Sequence, residues 1–230
     1  MSTEKMNLMP SCYDIIPHKR ATSCHSSLHN KPRGISEGAW INIKQNRFAQ
    51  LAKLGEIIFH TKDLANLWQI KNSNTLYTTL KRYAQQELLF RIYKGFYSIK
   101  PINQLDPFLL GTKAMHKFCY ISAETVLEKA GIIQQKTNYI TLISSVSKKF
   151  NIGDYSYCSR QLDDKFLFKT TGIINKDGIK IATTQRAVAD LLYFNPKIYF
   201  DNNKLINWKE IKRIQQEIGY PLTSKRYDFT

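Results

Sequence analysis

Residues 73–87 separate into an apolar face and a polar face when they are plotted at 100° per residue, which predicts an amphipathic helix. Ser73 or Asn72 can cap its N terminus, because both side chains accept hydrogen bonds from free backbone N–H groups. The face predicted to pack inward consists of Leu76, Leu80, Tyr83, Ala84 and Glu87. The segment therefore offers one face to a core and presents hydrogen-bonding groups on the other.

The polar face of this helix is built from residue types that recognise DNA. It carries Asn74, Thr78, Lys81 and Gln85. Asn and Gln hydrogen-bond to adenine, Lys reaches guanine or phosphate oxygens, and Thr contacts a base or a thymine methyl group. Most surface helices also have a solvated polar face, so this composition fits DNA recognition without requiring it.

The elements predicted around this helix follow the order of a winged helix-turn-helix. A helix begins near residue 43 and ends at Gly55, a short strand covers 57–59, and Thr61 is predicted to cap a second helix. After the long helix, residues 89–92 and 96–99 read as the two strands of a hairpin. Helix, strand, helix, turn, helix and hairpin, in this order, are typical of that DNA-binding fold.

The rest of the chain is predicted to be a mixed α+β domain. Asp106 and Pro107 form an N-cap and N1 pair, which starts a new helix and puts a domain boundary at residue 100. Beyond it we predict strands near 118–121, 139–144, 155–158, 166–170 and 179–181, and helices near 122–130, 183–192 and 208–218.

The predicted fold class is therefore α+β, with an N-terminal winged helix-turn-helix followed by a mixed α+β C-terminal domain. Residues 1–40 are predicted to be a mobile tail, because their composition is rich in Ser, His, Pro and Asn and shows no periodicity. Residues 41–100 are the predicted winged helix-turn-helix, and residues 101–230 are the predicted α+β domain.

The charge of the chain favours a polyanionic partner. There are 34 Lys and Arg residues against 18 Asp and Glu residues, a formal net charge of +16. Residues 42–100 hold ten basic and three acidic residues, a net charge of +7. Residues 101–230 hold 19 basic and 12 acidic residues, also a net charge of +7, but they are more than twice as many residues. A positive field collects polyanions and speeds their encounter, and its density is higher in the first block.

Several classes of protein are excluded or disfavoured. The longest uninterrupted apolar stretches have four residues, whereas a membrane-spanning helix needs about 18 or more. The start of the chain lacks the apolar region of a secretory signal, so we expect a cytoplasmic protein with reduced thiols and no membrane partner. The spacing of Cys12, His18, Cys24, His25 and His29 fits no zinc-ligand pattern, and we expect no metal site.

Catalytic motifs are scarce. The phosphate-binding and metalloprotease motifs and the nucleophile-elbow motif are missing, and Ser145–Lys148 matches S-x-x-K without its companion motifs. A nuclease would need converging carboxylates with a nearby cation, for which the chain offers Asp154, Asp163, Asp164, Asp177 and Lys180. Their contexts are turn-like, and Asp in turns usually bonds to the local backbone. We expect the protein not to be an enzyme and to need no cofactor.

Short motifs along residues 48–194 are shared with one known family. They are Thr61–Ala65, Thr75–Tyr77 with Leu80, Arg91–Tyr97, Tyr120–Ser122, Tyr139–Leu142 and Ile181–Tyr193. In these motifs the chain resembles the AbiEi-type antitoxins, which are the regulators of type IV abortive-infection toxin–antitoxin systems. The last segment is the most specific, although Thr184 and Gln185 stand where that family has Pro and an acidic residue.

The resemblance implies a winged-helix domain that binds double-stranded DNA at inverted repeats upstream of its own operon. It also implies a C-terminal domain that is needed to neutralise a nucleotidyltransferase-like toxin without forming a stable complex with it. The expected function is a transcriptional autorepressor that acts as the antitoxin of a system for defence against phage.

Seven residues are expected to contact DNA if the long helix enters the major groove. Those expected near bases are Asn74, Thr75, Thr78 and Lys81, and those expected on phosphates are Arg82, Arg91 and Lys94. The alternative function is a protein-interaction module whose winged helix no longer binds DNA and whose C-terminal domain engages an acidic partner.

Overall fold

The computed structural model describes residues 47–223, and these belong to one compact unit that begins at Arg47. They form a mixed α+β structure, as predicted. None of the helices in residues 47–223 is long and apolar enough to span a membrane. Three predictions lie outside the described part of the chain. They are the mobile tail at residues 1–40, the absence of a zinc site in that tail, and the first residues of the DNA-binding domain.

Residues 47–100 form a helical layer on a small antiparallel sheet. The elements are α1 (47–54), β1 (Ile58–His60), α2 (Thr61–Leu67), α3 (Ser73–Gln85), β2 (Phe90–Tyr93) and β3 (Phe96–Ser98). The strand order is β1-β3-β2, so β3 pairs with both of the others. Each of the helices and strands predicted between residues 57 and 99 is present, with bounds that differ by one or two residues.

Helix α3 begins at its predicted cap and ends slightly before its predicted end. The Asn72 side chain accepts hydrogen bonds from the backbone N–H groups of Asn74 (2.9 Å) and Thr75 (3.3 Å). Leu76 and Leu80 are buried on the inward face, as predicted. The inward position predicted for Glu87 is wrong, because the backbone there has left the helix at a φ of 56° and the side chain is exposed.

Helix α2 starts one residue earlier than predicted. His60 is its N-cap, and Thr61 is the first helical residue rather than the cap. The N–H group of His60 donates to Asp63 Oδ2 at 3.1 Å, so an acidic residue in the first turn binds the entering backbone.

Residues 101–223 form a second layer built on a six-stranded sheet. The helices are α4 (Pro107–Met115), α5 (Glu124–Lys129), α6 (Asp164–Leu167), α7 (Thr184–Phe194) and α8 (Trp208–Ile218), and 3₁₀ turns cover Ile102–Gln104 and Asn203–Leu205. The strands are β4 (Cys119–Ile121), β5 (Ile140–Ser144), β6 (Lys148–Ile152), β7 (Tyr155–Gln161), β8 (Ile173–Lys176) and β9 (Ile179–Ala182). The strand order is β6-β7-β5-β4-β9-β8.

Several predicted helix ends in this part are confirmed. The Asp106 side chain accepts a hydrogen bond from Phe108 N–H at 2.6 Å and starts α4. Thr183 accepts one from Arg186 N–H at 3.3 Å and starts α7. Gly219, with a φ of 88°, ends α8. Local capping chemistry therefore fixed these boundaries without tertiary information.

Three elements differ from the predictions. The strand predicted at 166–170 is wrong: residues 164–167 are helical, because the Asp163 side chain caps the Lys165 N–H group. Residues 148–152, for which no strand was predicted, form β6 by pairing along β7. Strand β8 was also not predicted, and it pairs with β9 across the turn at Asp177-Gly178.

The small sheet is covered on both faces. On one face, Phe59 and Tyr97 pack in a cluster with the apolar sides of α1, α2 and α3. On the other, Ile58 and Phe96 pack in a cluster with Leu110 of α4, which also contains residues of the large sheet. The two parts of the chain therefore share a core across residue 100.

Helix α4 lies directly against the large sheet at Gly111. A Cβ atom on Gly111 would be 2.2 Å from a ring carbon of Tyr157 on β7, so only glycine allows this approach. The Tyr157 hydroxyl donates to the carbonyl of Pro107 at 2.8 Å at the start of α4. The opposite face of the sheet packs against α5, α7 and α8 through Tyr120 and Ile143.

Candidate nucleic-acid interface

Helix α3 presents its polar face to solvent. Asn74, Thr78 and Lys81 are exposed, whereas Leu76 and Leu80 on the opposite side are almost fully buried. Of the other residues expected to contact DNA, Thr75, Arg91 and Lys94 are exposed and Arg82 is half-buried. All seven residues therefore have surface that a partner can reach, and their contact with DNA stays a prediction.

Two of the three threonine hydroxyls on α3 are turned toward the helix itself. Thr78 Oγ1 donates to the carbonyl of Asn74 at 2.8 Å, and Thr79 Oγ1 donates to the carbonyl of Thr75 at 2.9 Å. Because its hydroxyl proton is used within the helix, Thr78 offers a partner its methyl group and its oxygen lone pairs. This chemistry suits a thymine methyl group or an amino group on a base edge.

The tip of the β2–β3 hairpin is anchored on the start of α2. Gly95 lies in the turn with a φ of 80°, and its carbonyl accepts a hydrogen bond from Thr61 N–H at 2.9 Å. A Cβ atom on Gly95 would contact Thr61 Oγ1 at 3.4 Å. Lys94 is therefore carried on a turn that is fixed to the helical layer, and its side chain is exposed.

Tyr77 is an exposed aromatic residue at the border of the polar face of α3. Arg91 on β2 is the cross-strand partner of Tyr97 on β3. Burial raises the pKa of Tyr97, the nearby Arg91 guanidinium lowers it, and the Tyr77 phenol raises it. The Tyr97 hydroxyl therefore interacts electrostatically with both the Tyr77 phenol and the Arg91 guanidinium. Tyr77 is 49% exposed, which is unusual for so large a side chain beside a core.

Sequence reasoning did not include Tyr77 among the candidate residues. On the helical plot it lies between the buried stripe and the polar face, so it reads as a border residue of the core. Tyr77 could have been recognised from the sequence as a large aromatic residue at the border of a polar face, one position before Thr78.

The cations of this surface are available to a partner. Among the ion pairs of residues 47–223, none joins Lys81, Arg91 or Lys94 to a carboxylate. The nearest acidic side chain in sequence to the hairpin turn is Glu87, and Asp63 is bound to the His60 backbone. Three unpaired cations on one side of a helix and hairpin produce the positive potential that phosphates require.

Two of the aspartates considered for a nuclease, Asp163 and Asp177, lie at a helix cap and in a turn. Asp163 caps α6 and pairs with Lys165 at 3.2 Å, and the Lys165 backbone N–H is the main cause that lowers the pKa of this carboxyl. Asp177 occupies the β8–β9 turn with a φ of 52°. Within residues 47–223 no three His, Cys, Asp or Glu side chains are grouped so that they could hold a metal ion.

The most polar buried cluster lies in α7 and serves the core. Arg186 and Asp190 are fully buried, and Arg186 Nε donates to Asp190 Oδ1 at 2.8 Å. The guanidinium also donates to the Tyr120 hydroxyl and to the carbonyls of Lys169 and Thr171.

The Asp190 carboxylate is equally well paired. It accepts from the hydroxyls of Ser122 (2.7 Å), Tyr220 (2.8 Å) and Tyr120 (3.1 Å). Burial alone would lower the pKa of Arg186, but Asp190 and the two tyrosines raise it above its ordinary value. A cluster with every group paired and none exposed is a structural element.

Comparisons with known proteins leave the family open. No protein-family model matches the chain, and no curated protein matches it. Among solved structures, the crystal structure of the RV2827C protein from Mycobacterium tuberculosis is similar with a TM-score of 0.47 and 9% sequence identity, over 80% of this chain and 73% of that chain. A similarity at this level assigns neither a family nor a function to this chain.

Proposed function

We propose that residues 47–100 belong to a winged helix-turn-helix and that this part of the chain binds double-stranded DNA. One observation carries the proposal: α3 exposes Asn74, Thr78 and Lys81 on one face, beside a hairpin whose Arg91 and Lys94 have no carboxylate partner in the described chain. In such a fold α3 enters the major groove and the hairpin meets the neighbouring backbone.

The roles of the seven residues follow from their positions. Asn74, Thr75, Thr78 and Lys81 face the base edges, which carry sequence information. Arg82, Arg91 and Lys94 contact phosphates, which give affinity and register but not sequence. The shared core between the small sheet and α4 holds this surface at a fixed place on the rest of the protein.

We infer from the AbiEi-like motifs that the chain is a sequence-specific autorepressor and the antitoxin of a type IV toxin–antitoxin system. Its site is an inverted repeat upstream of its own operon, and its functional partner is a nucleotidyltransferase-like toxin that it opposes without a stable complex. The most specific of these motifs contains Arg186 and Asp190, so part of the resemblance reflects the buried cluster of α7. The DNA-binding part of this proposal is supported by surface chemistry, and the antitoxin part is supported by the motifs.

A gel-shift experiment tests the DNA-binding proposal. The full-length protein is titrated against a duplex from the region upstream of its gene, in parallel with the double variant Arg91→Ala, Lys94→Ala. Lys212→Ala is the matched control, because this exposed lysine lies on α8. We expect a shift for the wild type and the control, and a loss of affinity by the double variant on every sequence. No shift by the wild type at micromolar concentration and low salt would favour the protein-interaction alternative.

Toxin neutralisation is tested separately. The adjacent nucleotidyltransferase-like reading frame is expressed with the full chain or with the Arg91→Ala, Lys94→Ala variant. If neutralisation resides in residues 101–230, both proteins restore growth, because the two substitutions leave that part unchanged. Failure of the wild-type chain to restore growth would overturn the antitoxin assignment and leave the DNA-binding proposal standing.

A further inference from the structure

Tyr77 lies at the border between the buried face and the polar face of α3. Its position on α3 is about 40° on a helical plot that puts Ser73 at 0°, whereas Asn74, Lys81 and Thr78 fall at about 80–140° and the buried Leu80 at about 340°. The ring is 49% exposed. Its phenol interacts electrostatically with the hydroxyl of Tyr97. Tyr97 is the cross-strand partner of Arg91 and belongs to the cluster that the small sheet forms with α3.

This position corresponds to one part of a bound duplex. When a helix lies in the major groove and a hairpin reaches the adjoining minor groove, one sugar–phosphate strand separates the two grooves and passes between helix and hairpin. Side chains in the middle of the helix face meet bases, and side chains between the helix and the hairpin meet that strand. Tyr77 belongs to the helix and Arg91 to the hairpin, the two elements between which that strand would pass.

We propose that Tyr77 donates its phenol hydroxyl to a phosphate of the strand that passes between α3 and the β2–β3 hairpin. The inference rests on the proposed DNA-binding function and adds to it a neutral phosphate-binding residue beside the cation Arg91. Tyr97 is buried in the cluster that the small sheet forms with α3, whereas the Tyr77 side chain is 49% exposed. The phenol of Tyr77 is therefore accessible to a partner.

A neutral donor and a cation leave different signatures in binding data. A hydrogen bond to an ionised group contributes enough that its loss weakens binding by about tenfold. Removing the phenol hydroxyl in Tyr77→Phe is therefore expected to weaken binding by about tenfold on operator and on unrelated duplex alike. The slope of log K against log salt stays unchanged, because a neutral group releases no counterion. In Arg91→Ala the slope decreases by about 0.9.

The experiment measures fluorescence anisotropy of a labelled duplex with wild type, Tyr77→Phe, Arg91→Ala and Tyr199→Phe. Tyr199 is the matched control, since it is 77% exposed and lies far along the chain after α7. A series of duplexes is then compared, each of which carries one uncharged methylphosphonate at a different backbone position. At one position the methylphosphonate is expected to weaken duplex binding by the wild type and to leave binding by Tyr77→Phe unchanged, because the variant has already lost that contact.

The possible results distinguish failure of the Tyr77–phosphate contact from failure of the proposed DNA binding. Wild-type affinity in Tyr77→Phe, or a loss confined to one base sequence, would overturn the phosphate contact while the DNA-binding proposal stands. A methylphosphonate scan in which every sensitive position weakens both proteins equally would also overturn it. If the wild type binds no duplex, both the function and the inference are overturned. Circular dichroism of Tyr77→Phe checks that the variant is folded.

Discussion

Two helices of this protein carry a dense set of hydrogen-bonding side chains, and they use them in opposite ways. In α7, Arg186 and Asp190 point into the core, where each polar group has a partner within the protein. In α3, Asn74, Thr78 and Lys81 point outward, and no ion pair of the described residues involves Lys81. The residue types are similar, but only the second helix has bonding capacity left for another molecule.

The difference shows how to separate structural from functional polarity. A buried charge is tolerated only when hydrogen bonds and an opposite charge replace its water, so the α7 cluster is complete by necessity. Exposed polar groups are already hydrated and need no protein partner. A ligand can therefore replace water on α3, whereas it cannot enter the α7 cluster without unfolding it.

The largest effect is expected in the α7 cluster. Asp190→Ala leaves the Arg186 guanidinium buried without its counter-charge, which should reduce the free energy of unfolding by about 3–5 kcal/mol. Urea denaturation followed by circular dichroism measures it. Asp154→Ala at an exposed turn is the control, with an expected change within about 0.5 kcal/mol. Equal urea midpoints for Asp190→Ala and the wild type would show that the cluster does not stabilise the fold.

Substitutions on the polar face of α3 are expected to affect DNA discrimination more than stability. Thr78→Ala or Lys81→Ala should reduce discrimination between operator and unrelated duplex by about 1–3 kcal/mol and change stability by less than about 0.5 kcal/mol. Competition binding gives the first quantity and urea denaturation gives the second. A variant that loses stability but keeps its sequence preference would place Thr78 and Lys81 with the structural residues of α7.

The cap of α3 is expected to have a smaller effect on stability. Asn72→Ala removes the acceptor of two backbone N–H groups and should destabilise the protein by about 1 kcal/mol. Asn66→Ala is a suitable control, because that side chain is exposed within α2. Thermal denaturation compares the two, and a larger loss in Asn66→Ala would contradict the role of the cap.

The smallest effect concerns pH and His60. This residue donates through Nε2 to the carbonyl of Lys113 at 2.7 Å and stacks on His116 at 3.8 Å. Burial lowers the pKa of His60 below its ordinary 6.5, and the adjacent His116 lowers it further against the opposing effect of the Lys113 carbonyl.

The direction of the pH effect follows from that shift. The unfolded chain takes up the proton first as the pH falls, so stability is greatest above about pH 6.5 and decreases below it. In His60→Gln, whose amide can still donate to the carbonyl, melting temperature should change less between about pH 7.5 and 5.5 than in the wild type. Identical pH profiles would show that His60 does not contribute.

The sequence predicted the elements whose causes are local. Asn72, Asp106 and Thr183 cap helices as expected, because the cap needs only the neighbouring backbone. The apolar stripe of α3 was also recognisable, since it repeats with the period of one helix. The segment at 166–170 was misread, because a short apolar run does not distinguish a strand from a buried helical turn.

Other features depend on contacts that are distant in sequence. The burial of Arg186 requires Tyr120 and the carbonyls of Lys169 and Thr171, which no periodicity brings together. Strand β6 exists because β7 pairs with it. The electrostatic interaction of Tyr77 with Tyr97 depends on how α3 packs on the small sheet. The candidate residues on α3 and on the hairpin were thus predicted from the sequence, while the exposure of Tyr77 became visible only in the structure.

The most direct test of the account is the salt dependence of binding to the upstream duplex. Fluorescence anisotropy of the full-length protein is measured between about 50 and 200 mM salt. If α3 and the hairpin place six to ten phosphates in contact with the protein, affinity falls by roughly 10³ to 10⁵ over this range. An affinity that does not change with salt, or no binding at the lowest salt, would contradict the assignment of this surface to DNA.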